Sequence, residues 1–199
     1  MAASYEDGVT VAEVMPGKEF DRLSLDAMKQ ITDKQLGDFV DTLLATHAHG
    51  LQVDPSKASN FFYDPKEGFG IVDIYPEDKN GAREPLSAGQ VVAWGAYLVG
   101  NIGSEQSKTT IDDYRYDREL MQVRQSLMAR YQVATARKLE GADKTQVFEV
   151  IQKNAAYIAE QIANYANPEW VAVDLAANET RNRSLAERSV TLGSGWDSA

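Results

Sequence analysis

Two amphipathic stretches standing almost end to end, residues 112–139 and 143–166, constrain this chain more than any other feature. In the first, Tyr114, Leu120, Val123, Leu127 and Tyr131 fall near one face. In the second, Val147, Val150, Ile151, Ile158 and Ile162 do the same. Apolar side chains repeated at the helical period form a stripe that another element must cover. The joint between the stretches, Glu140-Gly141-Ala142, is short enough for the second helix to fold back on the first. A helical hairpin is therefore the expected frame. Asp112 and Asp113 open its first helix, where negative charge favours the positive end of the helix dipole.

Helical signals extend well outside this hairpin. Residues 24–49 are predicted helical. Thr32 and Gln35 are spaced to form a capping box, and Leu36, Phe39, Val40, Leu43 and Leu44 recur as a buried stripe. Gly50, after His49, suits the left-handed turn that ends a helix. Residues 86–99 form an apolar helix with Trp94 and Gly95, and Trp94 is expected in the core. Pro168 should end the final stretch. Beyond Asn178 the periodicity fades, which predicts one domain over residues 1–178 and a weakly packed polar tail over 179–199. Strand is confined to short runs. Residues 9–14 alternate and are stopped by Pro16-Gly17. Residues 60–63 and 69–74 are separated by Asp64-Pro65-Lys66-Glu67-Gly68, which has the composition of a hairpin turn. The expected fold class is α+β, predominantly α, with a small β-hairpin and several packed helices.

Composition narrows the chemistry. The chain is 43 % hydrophobic and 25 % charged, as a soluble domain with a real core requires. No apolar run is long enough to span a bilayer and no secretory signal is visible, so a cytoplasmic location without membrane contact is expected. Cysteine is absent, which excludes disulfides, thiolate nucleophiles and cysteine-zinc sites. The net charge of -10 opposes nucleic acid as a partner. The densest basic region, residues 115–138, is interleaved with Asp117 and Glu119 and reads as a solvated helix face. No G-x-S-x-G, P-loop, H-E-x-x-H or dinucleotide glycine pattern occurs.

The most informative region is residues 50–76. A loop aspartate (Asp54) is followed by Lys57, by Asn60 entering a strand, and by Asp73 leaving the next strand. Phosphoryl transfer needs a carboxylate to orient a hydroxyl and oxygen ligands to hold magnesium against phosphates. In this arrangement the segment resembles the catalytic segment of the protein-kinase-like superfamily, including aminoglycoside-phosphotransferase-type small-molecule kinases. The resemblance implies Asp54 as catalytic base, Lys57 as a phosphate contact, and Asn60 and Asp73 as magnesium ligands. It also implies a hinge near residues 13–15, where Glu13 and Met15 would hold a nucleotide, and a central C-lobe helix at Trp94-Gly95. The pattern departs from the family in having six residues, not five, from Asp54 to Asn60, and in lacking a glycine-rich loop, a strand lysine and its glutamate partner.

These features together lead us to expect a kinase-like C-lobe whose N-lobe is absent, degenerate or truncated, and without independent catalysis. It would act on a protein partner or by self-association. The alternative is an active ATP-dependent phosphotransferase using Mg and ATP, with an N-lobe supplied elsewhere. A purely helical interaction module is the third reading. His47 and His49, two apart on a helix, point different ways and are expected to bond backbone rather than metal. The rings of Phe61, Phe62, Tyr63 and Phe69 are expected in the core.

Overall fold

The computed structural model describes residues 4–6, 9–11, 16–53, 57–76, 86–104 and 110–193. The chain opens with an antiparallel pair, β1 (Ser4–Glu6) and β2 (Val9–Val11). Next come β3 (Lys18–Glu19), a 3-10 turn at Phe20–Arg22, α1 (Leu25–Lys29) and α2 (Asp33–Ala48). β4 (Leu51–Gln52) precedes a second 3-10 turn at Ala58–Asn60, the hairpin of β5 (Phe61–Asp64) and β6 (Gly68–Ile71), and β7 (Tyr75–Pro76). Four helices follow: α3 (Ala88–Gly100), α4 (Ile111–Ala136), α5 (Gly141–Ala166) and α6 (Pro168–Gly193). The protein is thus predominantly α, with a three-stranded antiparallel sheet, β3-β5-β6, and two smaller strand pairs.

The helix boundaries follow local chemistry. α2, α3 and α4 each begin with a complete capping box: Thr32 with Gln35, Ser87 with Gln90, and Thr110 with Asp113. Each box satisfies donors that the first helical turn leaves bare, which contributes about 1 kcal/mol. α2 ends at His49, and Gly50 takes the left-handed φ of 63° there. The helical zone expected over 24–49 consists of α1 and α2, broken at Gln30–Thr32, because Ser24 and Thr32 each cap a separate start. Pro168 does not merely stop α5. It stands at the first position of α6, where its missing N–H costs nothing, and Asn167 Oδ1 accepts from Glu169 N and Trp170 N.

α3 is the centre of the molecule. Gly89, Val91, Val92, Ala93, Gly95, Ala96, Leu98, Val99 and Gly100 are all buried, whereas Trp94 is half-buried. A helix apolar all round can only sit among other elements, and α2, α4 and α5 pack against it. Asp143 Oδ1 accepts from Gly89 N (2.9 Å) and Asn154 donates to Ala96 O (3.4 Å). Those contacts advance together along both helices, so α3 and α5 run parallel, with α4 returning between them. The hairpin of α4 and α5 is the one expected from sequence.

Close approach at the centre depends on glycine. A Cβ on Gly95 would collide with Tyr131 Oη and lie 2.6 Å from Leu43 Cδ1. Tyr131 is buried there and donates to Val92 O at 2.9 Å, and burial raises the pKa of its phenol. The basic stretch 115–138 is not uniformly solvated as expected. Arg124 is only 5 % exposed, and its Nε donates at 2.7 Å to Ile102 O in the turn that follows α3. Burial lowers the affinity of this guanidinium for its proton, while nearby Tyr165 and Asp117 raise it.

Alanine forms helix better than glycine by about 1 kcal/mol, yet Gly95→Ala is expected to destabilise the fold by about 1–3 kcal/mol through overpacking. Urea denaturation of the variant checks this. An increase in stability would show that α3 does not approach Tyr131 and Leu43 as described.

Candidate functional site

The expected hairpin over residues 60–74 forms with one register: Phe61 opposite Ile71, Phe62 opposite Gly70, Tyr63 opposite Phe69 and Asp64 opposite Gly68. Its turn is built by Asp64, whose Oδ1 accepts from Lys66 N (2.8 Å) and Glu67 N (3.1 Å). Those two N–H groups, Glu67 first, hold the Asp64 carboxyl below the usual carboxylate range. α2 orients the hairpin through Gln35. That side chain donates to Pro65 O at 3.1 Å and accepts from the Tyr63 hydroxyl at 3.2 Å. Below it the Phe39 and Phe69 rings stack at 4.7 Å. Phe61 and Tyr63 are buried, as expected, while Phe62 and Phe69 are half-buried.

Beyond the hairpin, two pairings fix the candidate residues. Val72 N donates to Asn60 O at 2.9 Å, extending the ladder one step past β5 and β6. On the far side, Gln52 of β4 pairs with Tyr75 of β7, and Leu51 with Pro76. Asn60 is therefore tied to Val72 and Gln52 to Tyr75, on either side of Asp73-Ile74. Three residues span at most about 10 Å. Asn60 and β4 are therefore held at the two ends of the short stretch that carries Asp73.

Within this frame Asn60 and Asp73 stand at neighbouring register positions but in different surroundings. Asn60 is 3 % exposed and ends the 3-10 turn in which its N–H donates to Lys57 O at 3.0 Å. Asp73 is exposed and has φ 54°, the one positive value among the described non-glycine residues. A non-glycine residue there holds about 1 kcal/mol of strain, and aspartate tolerates the region better than most. Lys57 is exposed and stands just before the same 3-10 turn. Asp54, Glu13 and Met15 lie outside the described residues. No group of three or more His, Asp or Glu side chains that could hold a metal occurs among the described residues.

Both histidines bond backbone. His47 Nε2 donates to Leu86 O at 2.7 Å, tying α2 to the approach to α3, and His49 Nδ1 donates to Ala45 O at 2.7 Å. Sequence reasoning missed the β4–β7 pairing, because two-residue strands carry no periodicity. It also missed Gln35 as the residue that seats the hairpin. The Thr32-x-x-Gln35 spacing reveals its cap, but nothing local reveals Pro65 or Tyr63. No family model, curated protein or solved structure gives a significant match to this chain.

Two outcomes follow. Asp73→Gly should stabilise the fold by about 0.5–1 kcal/mol, read by urea denaturation, since glycine adopts φ > 0 without strain; a loss of stability would mean the carboxylate supports the fold. Asp64 gains stability above its unfolded pKa and loses it as pH falls through the lower folded value. Asp64→Asn should therefore flatten the acid side of the stability–pH curve; an unchanged acid slope rules that contribution out.

Proposed function

We propose that this chain is a kinase-like C-lobe protein that keeps the catalytic segment as a scaffold and lacks independent phosphoryl transfer. The carrying observation is the double tether, Asn60 to Val72 on one side and β4 to β7 on the other, which brackets Asp73 between two paired positions. A segment built to gather oxygen ligands for a hydrated divalent ion needs that kind of bracket, because magnesium demands fixed geometry from few protein ligands. The burial of Asn60 supports the non-catalytic half of the reading. A magnesium ligand has to turn its oxygen to the open side, and Asn60 is almost wholly enclosed.

A second reading, an active phosphotransferase, is favoured by Asp73. An exposed carboxylate held in a strained conformation is the kind of outlier that clusters at functional sites. In that case Asp73 would hold magnesium and Asp54 would orient the accepting hydroxyl, with ATP as the donor.

Two measurements separate the readings. Mn²⁺ titrated into isotope-labelled protein should broaden the amide signals of Asp73 and residues 57–60 ahead of the other acidic surface. Broadening spread evenly over that surface would sink the kinase-like reading itself. Magnesium and ATP at millimolar concentration should leave the melting temperature unchanged; a rise abolished by Asp73→Ala would replace the scaffold reading with the active one.

A further inference from the structure

We propose that the groove between α2 and α4 is a binding site for a small amphipathic carboxylate, its apolar body lying over Gly37 and its anionic end on Arg137. The groove encloses about 570 Å³ and contains none of Lys57, Asn60 and Asp73. Its volume falls in the range of roughly 300–1,000 Å³ typical of small-molecule sites.

Its floor is made by Gly37 from α2 and by Ala129, Val133 and Ala134 from α4. Gly37 is the informative residue. Glycine in mid-helix is the poorest helix former after proline, so its presence needs a reason. At Gly89, Gly95 and Gly100 a Cβ would meet a neighbour; at Gly37 it would meet nothing within 4 Å, and no positive φ requires glycine there. What the missing side chain does is deepen the groove. Val133, in the same floor, is 53 % exposed.

The rim decides the sign of the ligand. The chain as a whole carries a charge of -10, yet the groove is lined by four cations, Lys34, Arg130, Arg137 and Lys138, against Asp33 and Asp38. Arg130 is engaged by Asp33, Lys34 by Asp38 and Lys138 by Asp41. Among the described residues the Arg137 guanidinium has no hydrogen-bond or ion-pair partner, and it stands exposed at the end of α4 beside the apolar floor. One uncommitted guanidinium suits one carboxylate, which it can meet with two parallel hydrogen bonds.

Length argues for a small ligand over a protein. The lining residues of α4 and the turn that ends it run from Ala129 to Lys138, a span of roughly 14 Å if the helical rise is continued. That matches an extended chain of about twelve carbons, whose footprint is far smaller than the roughly 800 Å² per partner of a stable protein interface.

Isothermal titration with dodecanoate, kept below its micelle concentration, tests the site. The parent protein should bind one equivalent saturably. Gly37→Leu should abolish binding, and Arg137→Gln should weaken it by about tenfold, the effect of losing one charge-assisted contact. Lys153→Gln, a charge removed from α5, should leave it unchanged. Dodecyltrimethylammonium, with the same body and opposite charge, should bind at least about tenfold more weakly than dodecanoate. If Gly37→Leu fails to fold by circular dichroism, Ala134→Leu fills the same floor from the other helix and is expected to abolish binding in its place. Absence of saturable binding, undiminished affinity in the filled-groove variant, or equal affinity for the cationic amphiphile overturns the proposal. Sedimentation showing a parent dimer that Gly37→Leu dissociates would assign the groove to a second copy and equally overturn it.

Discussion

The contact on which the rest of this structure depends is the seat of Phe39. From one position on α2 its ring meets Phe20, Phe61, Phe69 and Tyr131, with centroids 4.7 to 6.4 Å away. Those partners come from the first 3-10 turn, both hairpin strands and α4. Fully burying a ring of this size contributes about 1.5–3 kcal/mol, and each aromatic pairing adds about 0.5–1.5. The larger consequence is geometric. The hairpin cannot tilt, nor α4 slide, without breaking the same cluster.

With the hairpin fixed against α2, the candidate site follows from backbone pairing. The ladder past Asn60 and the β4–β7 pair leave Val72-Asp73-Ile74 little conformational freedom, and Asp73 takes a positive φ between them. Polar groups finish the assembly elsewhere. Arg124 ties α4 to the turn after α3, and the Tyr114 hydroxyl donates to Asp174, joining α4 to α6. Around that last bond Tyr114, Tyr165 and Trp170 pack edge to face, so α6 is anchored by its first turns. Burial, with Asp174 beside it, raises the pKa of the Tyr114 phenol. Although the periodicity declines beyond Asn178, α6 continues to Gly193.

Much of this was legible in the residues. The capping box at Thr32, the helix end at Gly50, the turn at Asp64 and the antiparallel hairpin of α4 and α5 all depend on neighbours within a few positions or one short joint. At the candidate site the order of the polar residues and the hairpin could be read. The enclosure of Asn60, the strain at Asp73 and the β4–β7 pair could not, since each is set by segments distant in sequence. The buried Arg124 misled for the same reason. Among Asp117 and Glu119 it reads as one more solvated cation, until the end of α3 arrives above it.

The sequence by itself determined where helices start and stop, which faces are apolar and where the chain turns, because those preferences act between adjacent residues. Tertiary structure alone decided which glycines matter and which charges are buried. Gly95 and Gly37 both lie within helices and neither has a positive φ, yet one is required by Tyr131 and Leu43 while the other faces open space. That difference is one of packing between elements, and packing exists only once the elements have met.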